Sequence, residues 1–482
     1  MRIMDISQRQ IYMISNYDKT NPWSIWEYSK RLLGKSLEEA IAPKTIEPRK
    51  GKGGLGQLVE EYFFGYDVNS NPDADFTEAG LELKVTPLKL LKDRTLAIKE
   101  RLVCTMIDYD ADQGKEFKES HVYLKCALML IMFYLHEANV PVQKLQFIYS
   151  ILWQIPEKDL LIMQQDYDKI IAKIRAGKAH ELSEGDTTYL GACRKGQKGD
   201  SDVYYNLPDG TRSQIPAPKR AFSLKPQYMR TILEFAQRKE PDVPINTSAF
   251  VRGYGPQLIE AEELKKKSFE DILLERFEPF IGLSYSEICR KIGVYESTAK
   301  HKYAIATNLI LTENETKGNR VTESEEFVKS GIVLKTIRVE HDGHIREHMS
   351  FEAIDYVELA KEDNWYDSRF YELVTQRFLF VIYRKRTIGE EDNYRLERAF
   401  FWTMPPYAID EAERFWENLK ENVSRNDFNP ESYYKISDHK IFHYRPHGRN
   451  AADMTPNPNG GEVQKYGYWI NKDFIESVIA EN

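Results

Sequence analysis

The segment that most constrains the fold is residues 75–85, where two acidic residues and a lysine are spaced around a glycine. From Gly80 onward, apolar and charged residues alternate, as in a β-strand with one buried face. Alternation places Glu82 and Lys84 together on one face. The opposite face carries the apolar residues Leu81, Leu83 and Val85. Because Gly80 permits a tight bend, the segment with Asp75 is expected to fold back beside this strand.

Two carboxylates and one ammonium group at a single point have the chemistry of a magnesium site. Mg²⁺ usually takes one or two protein carboxylates and keeps water or phosphate oxygens as its other ligands. Lys84 is then available to orient a water molecule or to stabilise charge on a phosphate. The alternative interpretation is that Glu82 and Lys84 form the solvated outer face of an amphipathic strand, because these residue types are common.

The length and charge of the chain define its broad class. A chain of 482 residues exceeds the usual size of a single hydrophobic core, so two domains are expected. The net charge of −8 argues against a polycation that coats nucleic acid without selectivity. It does not exclude an enzyme that acts on DNA, because basic residues can be gathered on one face.

The cysteines and the apolar segments bear on the compartment. Cys104, Cys126, Cys193 and Cys289 lie far apart in sequence, so a zinc site or a disulfide framework is not expected. A reducing cytoplasm is therefore the expected location. The N-terminal residues include Asp5 and no apolar signal core. The longest apolar run, residues 126–135, is too short to cross a bilayer and is predicted to be a buried core segment.

Three helices are predicted before the strand at Glu82. The first covers residues 23–33, and the second begins at Ser36, with Glu39 positioned for a capping box. The third covers residues 55–63 and has an apolar stripe. Glu60 and its neighbour Glu61 flank this stripe about equally, so periodicity does not decide which of them faces the core.

Two later segments carry cations suited to DNA. Residues 102–107 are predicted to form a central strand, and Lys99 and Arg101 precede it, where they are candidates for phosphate contacts. A glycine-containing loop, residues 194–199, begins with Arg194 and Lys195. Arginine and lysine side chains can bind guanine in the major groove. For both segments the competing interpretation is a solvated loop.

The pattern of the first half returns weakly after residues 238–268, whose prolines, glycines and charged run predict an interdomain linker. Residues 281–288 resemble residues 33–40, and residues 326–336 resemble the segment around Glu82. In this alignment Lys335 matches Lys84, Glu326 matches Asp75 and Val333 replaces Glu82. A valine cannot bind a metal ion. A basic loop with Arg445, His447 and Arg449 takes the place of residues 194–199, and residues 466–475 take the place of residues 220–232.

The spaced block G-x-x-G-Q-L-V-E, residues 53–60, followed by D-x6-E-x-K, residues 75–84, resembles the MutH-related endonucleases. This family includes the mismatch-repair nicking enzyme and two-domain restriction enzymes that cut at GATC. The resemblance implies an α/β restriction-endonuclease-like fold, with a mixed central sheet flanked by helices, in two tandem copies. It also implies Mg²⁺-dependent hydrolysis of phosphodiesters by Asp75, Glu82 and Lys84, with Asp75 and Glu82 as metal ligands and Glu60 as a further acid.

The resemblance also assigns DNA contacts and partners. Arg194 and Lys195 correspond to a base-reading loop. Lys225 and Tyr228 lie at a strand-to-helix turn where family members contact DNA, although core packing is the alternative for Tyr228. Arg445, His447 and Arg449 are expected to bind a second DNA site that stimulates cleavage. The implied partners are double-stranded DNA and a cognate methyltransferase of the same system, without a membrane, for a monomer or a DNA-induced dimer.

The expected organisation is a catalytic domain over residues 1–240, a linker over 241–268 and a degenerate, DNA-binding domain over 269–482. With this organisation, the resemblance implies a type II restriction endonuclease specific for 5′-GATC. The first alternative is a mismatch-repair-type nicking enzyme, against which the length and the second copy argue. The second is a noncatalytic DNA-binding regulator, against which the intact Asp75, Glu82 and Lys84 argue.

Overall fold

The computed structural model describes residues 17–42, 46, 54–67, 73–91, 93–196, 202–238, 257–313, 320–386 and 394–482. It divides into two compact units. Unit 1 comprises Met1–Ala179 and Tyr189–Tyr254, and unit 2 comprises His180–Thr188 and Gly255–Asn482. Residues 180–188 therefore group with the second unit, which was not predicted. Most of the predicted linker, residues 241–256, lies outside the described residues, as do residues 197–199 of the predicted basic loop.

Unit 1 combines six described helices with seven strands. The helices are α1 (Pro22–Ser29), α2 (Leu37–Ile41), α3 (Gly54–Leu58), α4 (His121–Cys126), α5 (Glu157–Arg175) and α6 (Pro226–Gln237). The strands are β1 (Glu82–Leu90), β2 (Leu96–Ile98), β3 (Leu102–Met106), β4 (Leu128–Leu135), β5 (Phe147–Gln154), β6 (Leu190–Arg194) and β7 (Arg220–Leu224). A π-helical segment, Val59–Phe64, continues α3.

The main sheet of unit 1 has the strand order β2-β1-β4-β5. β1 and β4 are parallel, and the other two pairs are antiparallel. β4 is buried along most of its length, as the apolar run at residues 126–135 predicts for a core segment. A second, antiparallel sheet has the order β3-β7-β6. The predicted central position of residues 102–107 is wrong, because β3 is an edge strand of this three-stranded sheet.

The first helices follow the sequence signals closely. The predicted helix over 23–33 is observed as α1 followed by a 3-10 turn, and Gly34 has a φ of 75°. The capping box is confirmed, because Ser36 and Glu39 exchange hydrogen bonds at the start of α2. The predicted helix over 55–63 is divided between α3 and the π-helical segment. Glu60 is only 8% exposed.

Unit 2 has nine described helices and eight strands. The helices are α7 (Ala261–Leu264), α8 (Phe269–Glu275), α9 (Tyr285–Ile292), α10 (Lys302–Leu311), α11 (Glu325–Ser330), α12 (Tyr356–Lys361), α13 (Arg369–Val374), α14 (Pro406–Ser424) and α15 (Lys472–Glu481). The strands are β8 (Val333–Val339), β9 (Met349–Ala353), β10 (Phe378–Lys385), β11 (Tyr394–Trp402), β12 (Phe442–Pro446), β13 (Met454–Pro456), β14 (Glu462–Gln464) and β15 (Tyr466–Ile470).

The sheets of unit 2 repeat the pairing pattern of unit 1. β8 pairs with β10 in parallel, and β10 pairs with β11 in antiparallel, as β1, β4 and β5 do. The sheet β12-β15-β9 repeats β6-β7-β3, with antiparallel pairs throughout. The connection that precedes the first pair is also repeated. Gly282 has a φ of 82°, and Ser284 and Glu287 form a capping box like that of Ser36 and Glu39. The predicted repetition of one mixed α/β fold is therefore confirmed.

No helix in the described parts of either unit is long and apolar enough to cross a membrane.

Candidate active site of the first unit

The turn that leads into β1 brings Asp75 beside the strand, as the sequence predicts. Gly80 adopts a left-handed conformation, with φ 58° and ψ 35°, which glycine accepts without steric strain. The backbone N–H of Leu83 donates to Asp75 Oδ2 at 3.0 Å, and the N–H of Asp75 donates to Glu82 Oε2 at 3.3 Å. These two hydrogen bonds hold both carboxylates at the start of the strand.

Lys84 binds the carboxylate that shares its strand face. Its Nζ lies 2.6 Å from Glu82 Oε1 and also donates to the backbone carbonyl of Cys104, on β3, at 3.2 Å. Burial lowers the pKa of Lys84. The negative charge of Glu82 and the hydrogen bond between the two side chains raise it, and the net pKa of Lys84 is raised. Lys84 is therefore a cation at neutral pH, able to donate hydrogen bonds but not to bind a metal.

A second lysine, Lys125, reaches the same carboxylate and was missed by the sequence analysis. Its Nζ lies 3.3 Å from Glu82 Oε2 and 3.4 Å from Glu82 Oε1. Lys125 lies on α4, which precedes the parallel partner of β1. Glu82 is 2% exposed, so two ammonium groups share one buried carboxylate. The sequence signal that could have identified Lys125 is its position shortly before the apolar run of β4, the strand that pairs with β1.

The two carboxylates have the properties of a divalent-cation site. Burial raises the pKa of Asp75, and the nearby charge of Glu82 adds to this effect, while Lys84 and the Leu83 N–H oppose it. A bound cation would relieve this repulsion, and two carboxylates match the number that Mg²⁺ usually takes from a protein. Among the described residues, no group of three or more histidine, cysteine, aspartate or glutamate side chains suits a metal. The donor set therefore fits an ion that completes its coordination with water or phosphate.

Glu60 lies on the helical segment that follows α3. Gly56 of α3 faces β1, where a Cβ at this glycine would lie 3.8 Å from Val85 Cβ. Periodicity did not decide which of Glu60 and Glu61 faces the core. In the structure Glu60 is buried and Glu61 is partly exposed. π-helical turns are rare and are often found at functional sites. A role for Glu60 as a further acid stays a prediction.

The cations predicted to contact DNA remain partly accessible in unit 1. Arg194 ends β6, and its guanidinium lies 3.9 Å from Asp202 Oδ1. Lys195 follows it and is half-buried. Lys99 and Arg101 lie in the turn between β2 and β3, where Lys99 Nζ contacts Glu100 Oε1 at 3.1 Å. These four residues occupy loops or strand ends, where side chains can reach a groove.

Lys225 and Tyr228 are more buried than the sequence suggests. Lys225 is 7% exposed and occupies the position before the first turn of α6. Tyr228 is fully buried, and its hydroxyl donates to Asp159 Oδ2 at 2.8 Å. Its ring also packs against Trp153 and Tyr189. Core packing accounts for Tyr228 in this structure, and a DNA contact by either residue stays a prediction.

The equivalent position in unit 2 keeps the lysine but lacks the acidic pair. Val333 begins β8, and Lys335 Nζ donates to the carbonyl of Ser350, on β9, at 3.2 Å. Lys84 makes the same type of bond to β3 over the same distance. Glu326 is fully buried and accepts hydrogen bonds from the backbone N–H groups of Leu258 and Ile259 at 3.1 Å. Its carboxylate thus holds the backbone of residues 258–259 in place.

The predicted basic loop of unit 2 is at the surface. Arg445, on β12, is exposed, and its guanidinium carbon lies 5.2 Å from the ring centroid of Trp469. His447 is half-buried, with Nε2 3.0 Å from the carbonyl oxygen of Phe351. The side chain of Arg449 is exposed. The two arginines are accessible to a phosphate or a base edge, whereas His447 is held against β9.

Comparison with known proteins gives matches over both units. A family model described as the DNA mismatch repair enzyme MutH matches residues 64–166 and 317–414. The type II restriction enzyme Sau3AI of Staphylococcus aureus is 31% identical over 94% of this chain and 97% of its own length. The DNA mismatch repair proteins MutH of Shewanella amazonensis and Shewanella woodyi are each 29% identical. They cover 43% and 41% of this chain, and 92% and 81% of their own lengths.

Proposed function

The chain belongs to the type II restriction enzymes similar to Sau3AI and carries two MutH domains, and we propose that it cuts double-stranded DNA at 5′-GATC with Mg²⁺ as cofactor. The observation that carries this proposal is the convergence of Asp75, Glu82 and Lys84 at the start of β1. The near full-length similarity to Sau3AI supports a restriction enzyme with two domains, since the MutH relatives match less than half of the chain.

The proposed roles follow from the chemistry of each group. Asp75 and Glu82 would hold Mg²⁺, with the carbonyl of Leu83 as a further oxygen ligand. When bound, this ion supplies charge neutralisation at the scissile phosphate and lowers the pKa of a bound water. Lys84 is protonated and would orient the attacking water. Glu60 would position a second ion or water near this site.

Lys125 is proposed to stabilise negative charge that develops on the phosphate. It already lies within 3.4 Å of Glu82, so a phosphate oxygen bound near that carboxylate would be within reach of the lysine after a change of rotamer. A protonated amine in a site with little water stabilises such charge better than the same amine in bulk solvent. Arg194 and Lys195 are proposed to read guanine in the recognition site.

The second unit is proposed to bind another GATC site and to stimulate cutting by the first. Val333 replaces the carboxylate that Glu82 provides, so the acidic pair proposed to hold the ion is not formed at the equivalent position of β8. Its exposed Arg445 and Arg449 are suited to DNA contacts. Stimulation of this kind is a coupling free energy, typically about 1–3 kcal/mol.

The proposal is tested by digesting a mapped plasmid with and without Mg²⁺ and sequencing the ends. Cuts in both strands at every GATC, and none with EDTA, are expected. Nicks in one strand would favour the mismatch-repair type of activity. Binding without any cutting would favour a noncatalytic regulator. Cuts at another sequence would contradict the assigned specificity while leaving the nuclease assignment intact.

A further inference from the structure

Unit 2 contains a cavity at the position that corresponds to the active site of unit 1. It has a volume of about 320 Å³ and is lined by Lys335 and Ser350, which form the hydrogen bond between β8 and β9. Its lining side chains that carry or can acquire a positive charge are Lys300, His301, Lys335, Arg338, Arg346 and His348. Glu347 is the single acidic side chain among the described lining residues, and it is exposed.

The charges of this cavity suit an anion. Arg346 is already paired with Glu340 at 2.6 Å, and the guanidinium of Arg338 lies 5.8 Å from the ring centroid of Tyr394. Lys335 is different, because its ammonium group donates to the neutral backbone carbonyl of Ser350. Burial alone lowers the pKa of Lys335, whereas Glu82 raises that of Lys84. A half-buried ammonium group with no carboxylate partner among the described residues gains most from a negatively charged ligand.

The same replacements that remove catalysis leave the cavity able to hold a phosphate. Val333 takes the position of Glu82, and the helix equivalent to α4 is α13, which ends in Leu373 and Val374 where α4 ends in Lys125 and Cys126. Val333 therefore places no carboxylate at this point of β8 that would repel a phosphate. Among the described residues of the unit, no acidic pair stands at this position to hold a metal.

We propose that this cavity binds a backbone phosphate of the effector DNA directly through Lys335, without a metal ion. The proposal rests on the proposed function, because it assigns a residue and a ligand to the effector site of unit 2. The degenerate site thus keeps the lysine that corresponds to Lys84, while Val333 replaces the carboxylate that hydrolysis is proposed to need. Binding at this site is insensitive to EDTA, and the phosphodiester bound there is not cut.

The test measures binding of a short GATC duplex to the full-length chain in EDTA. Two duplexes per chain are expected, and Lys335→Met is expected to weaken one of the two binding steps about ten- to a hundredfold, because a charge-assisted hydrogen bond is lost. The matched control is Lys361→Met, which removes one exposed charge of the same unit. A duplex with a neutral methylphosphonate at the bound position is expected to reproduce the loss in the wild-type chain and to add nothing in Lys335→Met.

Thermal melting without DNA separates a binding role from a structural one. Lys335→Met is expected to keep or raise the melting temperature, because it replaces a half-buried cation with an apolar side chain of similar length.

If the wild-type chain binds two duplexes and the variant binds both equally well, the phosphate assignment is overturned while the effector function stands. A wild-type chain that binds one duplex overturns the effector function itself. If inorganic phosphate stabilises the wild-type chain but not Lys335→Met, and duplex binding is equal in both, the cavity is a free-anion site and the DNA assignment is wrong.

Discussion

At the scale of single residues, the site is organised around the carboxylate of Glu82. It accepts hydrogen bonds from the ammonium groups of Lys84 and Lys125 and from the backbone of Asp75. Asp75 in turn accepts from the N–H of Leu83, so its carboxylate is fixed by the strand that carries Glu82 and Lys84. A site built in this way places its charges before any ligand arrives, which is the condition for electrostatic catalysis.

Lys125→Met is expected to lower the single-turnover cleavage rate by about a hundredfold, because removing one preorganised donor from a charged site typically has that effect. Metal affinity should not fall, since the lost lysine repels a cation. Cleavage measured across a Mg²⁺ titration checks both statements. The control is Lys118→Met, an exposed lysine shortly before α4. Equal rates for Lys125→Met and the wild-type chain would remove Lys125 from the mechanism.

Arg194→Ala is expected to weaken binding to GATC more than binding to an unrelated duplex, by about 1–3 kcal/mol of discrimination. Its guanidinium lies 3.9 Å from Asp202 Oδ1, and a contact this long can be exchanged for a base edge. Competition titrations on the two duplexes measure the difference. Equal weakening on both duplexes would make Arg194 a phosphate contact, and Lys195 would be the next candidate for the same role.

The predictions of side-chain position were correct where all the residues concerned lie in one short segment of the sequence. The alternation around Glu82 and Lys84 is local, so the shared face and the return of Asp75 beside it were predictable. Lys125 was not, because it lies 43 residues from Glu82 and meets it only through the packing of α4 next to the sheet. Glu60 and Glu61 were indistinguishable by a 3.6-residue period, because they flank the apolar stripe about equally, and the segment that carries them is π-helical.

At the scale of elements, the same turn begins the equivalent strand of both units. Gly80 precedes β1 with φ 58°, and Gly331 precedes β8 with φ 64°. In each case a short helical turn ends in a left-handed glycine, and the strand begins two residues later. The two acids that precede these glycines have different partners, because Asp75 accepts from the N–H of Leu83 and Glu326 accepts from the N–H groups of Leu258 and Ile259.

Gly80→Ala and Gly331→Ala form a matched pair for this turn. Each is expected to destabilise the chain by about 1 kcal/mol, because a Cβ is unfavourable in the left-handed region. A Cβ at Gly80 would meet nothing within 4 Å, so backbone strain is the sole cause there. Only Gly80→Ala should also slow cleavage, about tenfold, by displacing Asp75. Thermal melting and single-turnover cleavage measure the two effects. Equal slowing by both variants would show that the loss follows from stability alone.

Element predictions were reliable for helix starts and less so for strand positions. Ser36 with Glu39 and Ser284 with Glu287 form capping boxes that involve only neighbouring residues. The position of β3 at a sheet edge depends on its pairing with β7, which is more than a hundred residues away. Composition alone does not encode that partner, so the apolar segment was predicted to be central.

At the scale of the whole molecule, the two units share one strand topology but carry different residues at the equivalent position, Glu82 in unit 1 and Val333 in unit 2. The parallel pairs β1–β4 and β8–β10 have equivalent registers, with Glu82 opposite Met129 and Val333 opposite Phe378. The repetition was detectable in sequence because several weak similarities occur in the same order. The grouping of residues 180–188 with unit 2 was not detectable, because it arises from contacts such as that of Tyr371 with Glu184 Oε1 at 3.1 Å.

The central claim is that one unit cuts and the other binds. Glu82→Gln in the full-length chain tests it most directly, because it removes one carboxylate charge from unit 1 and leaves unit 2 unchanged. Cleavage of a mapped plasmid in Mg²⁺ and binding of a GATC duplex are measured on the same preparation. We expect cleavage of both strands to fall by at least about a thousandfold, with binding retained, because metal-assisted catalysis depends on this ligand. Cleavage at the wild-type rate would contradict the claim, since the second unit or another site would then be cutting.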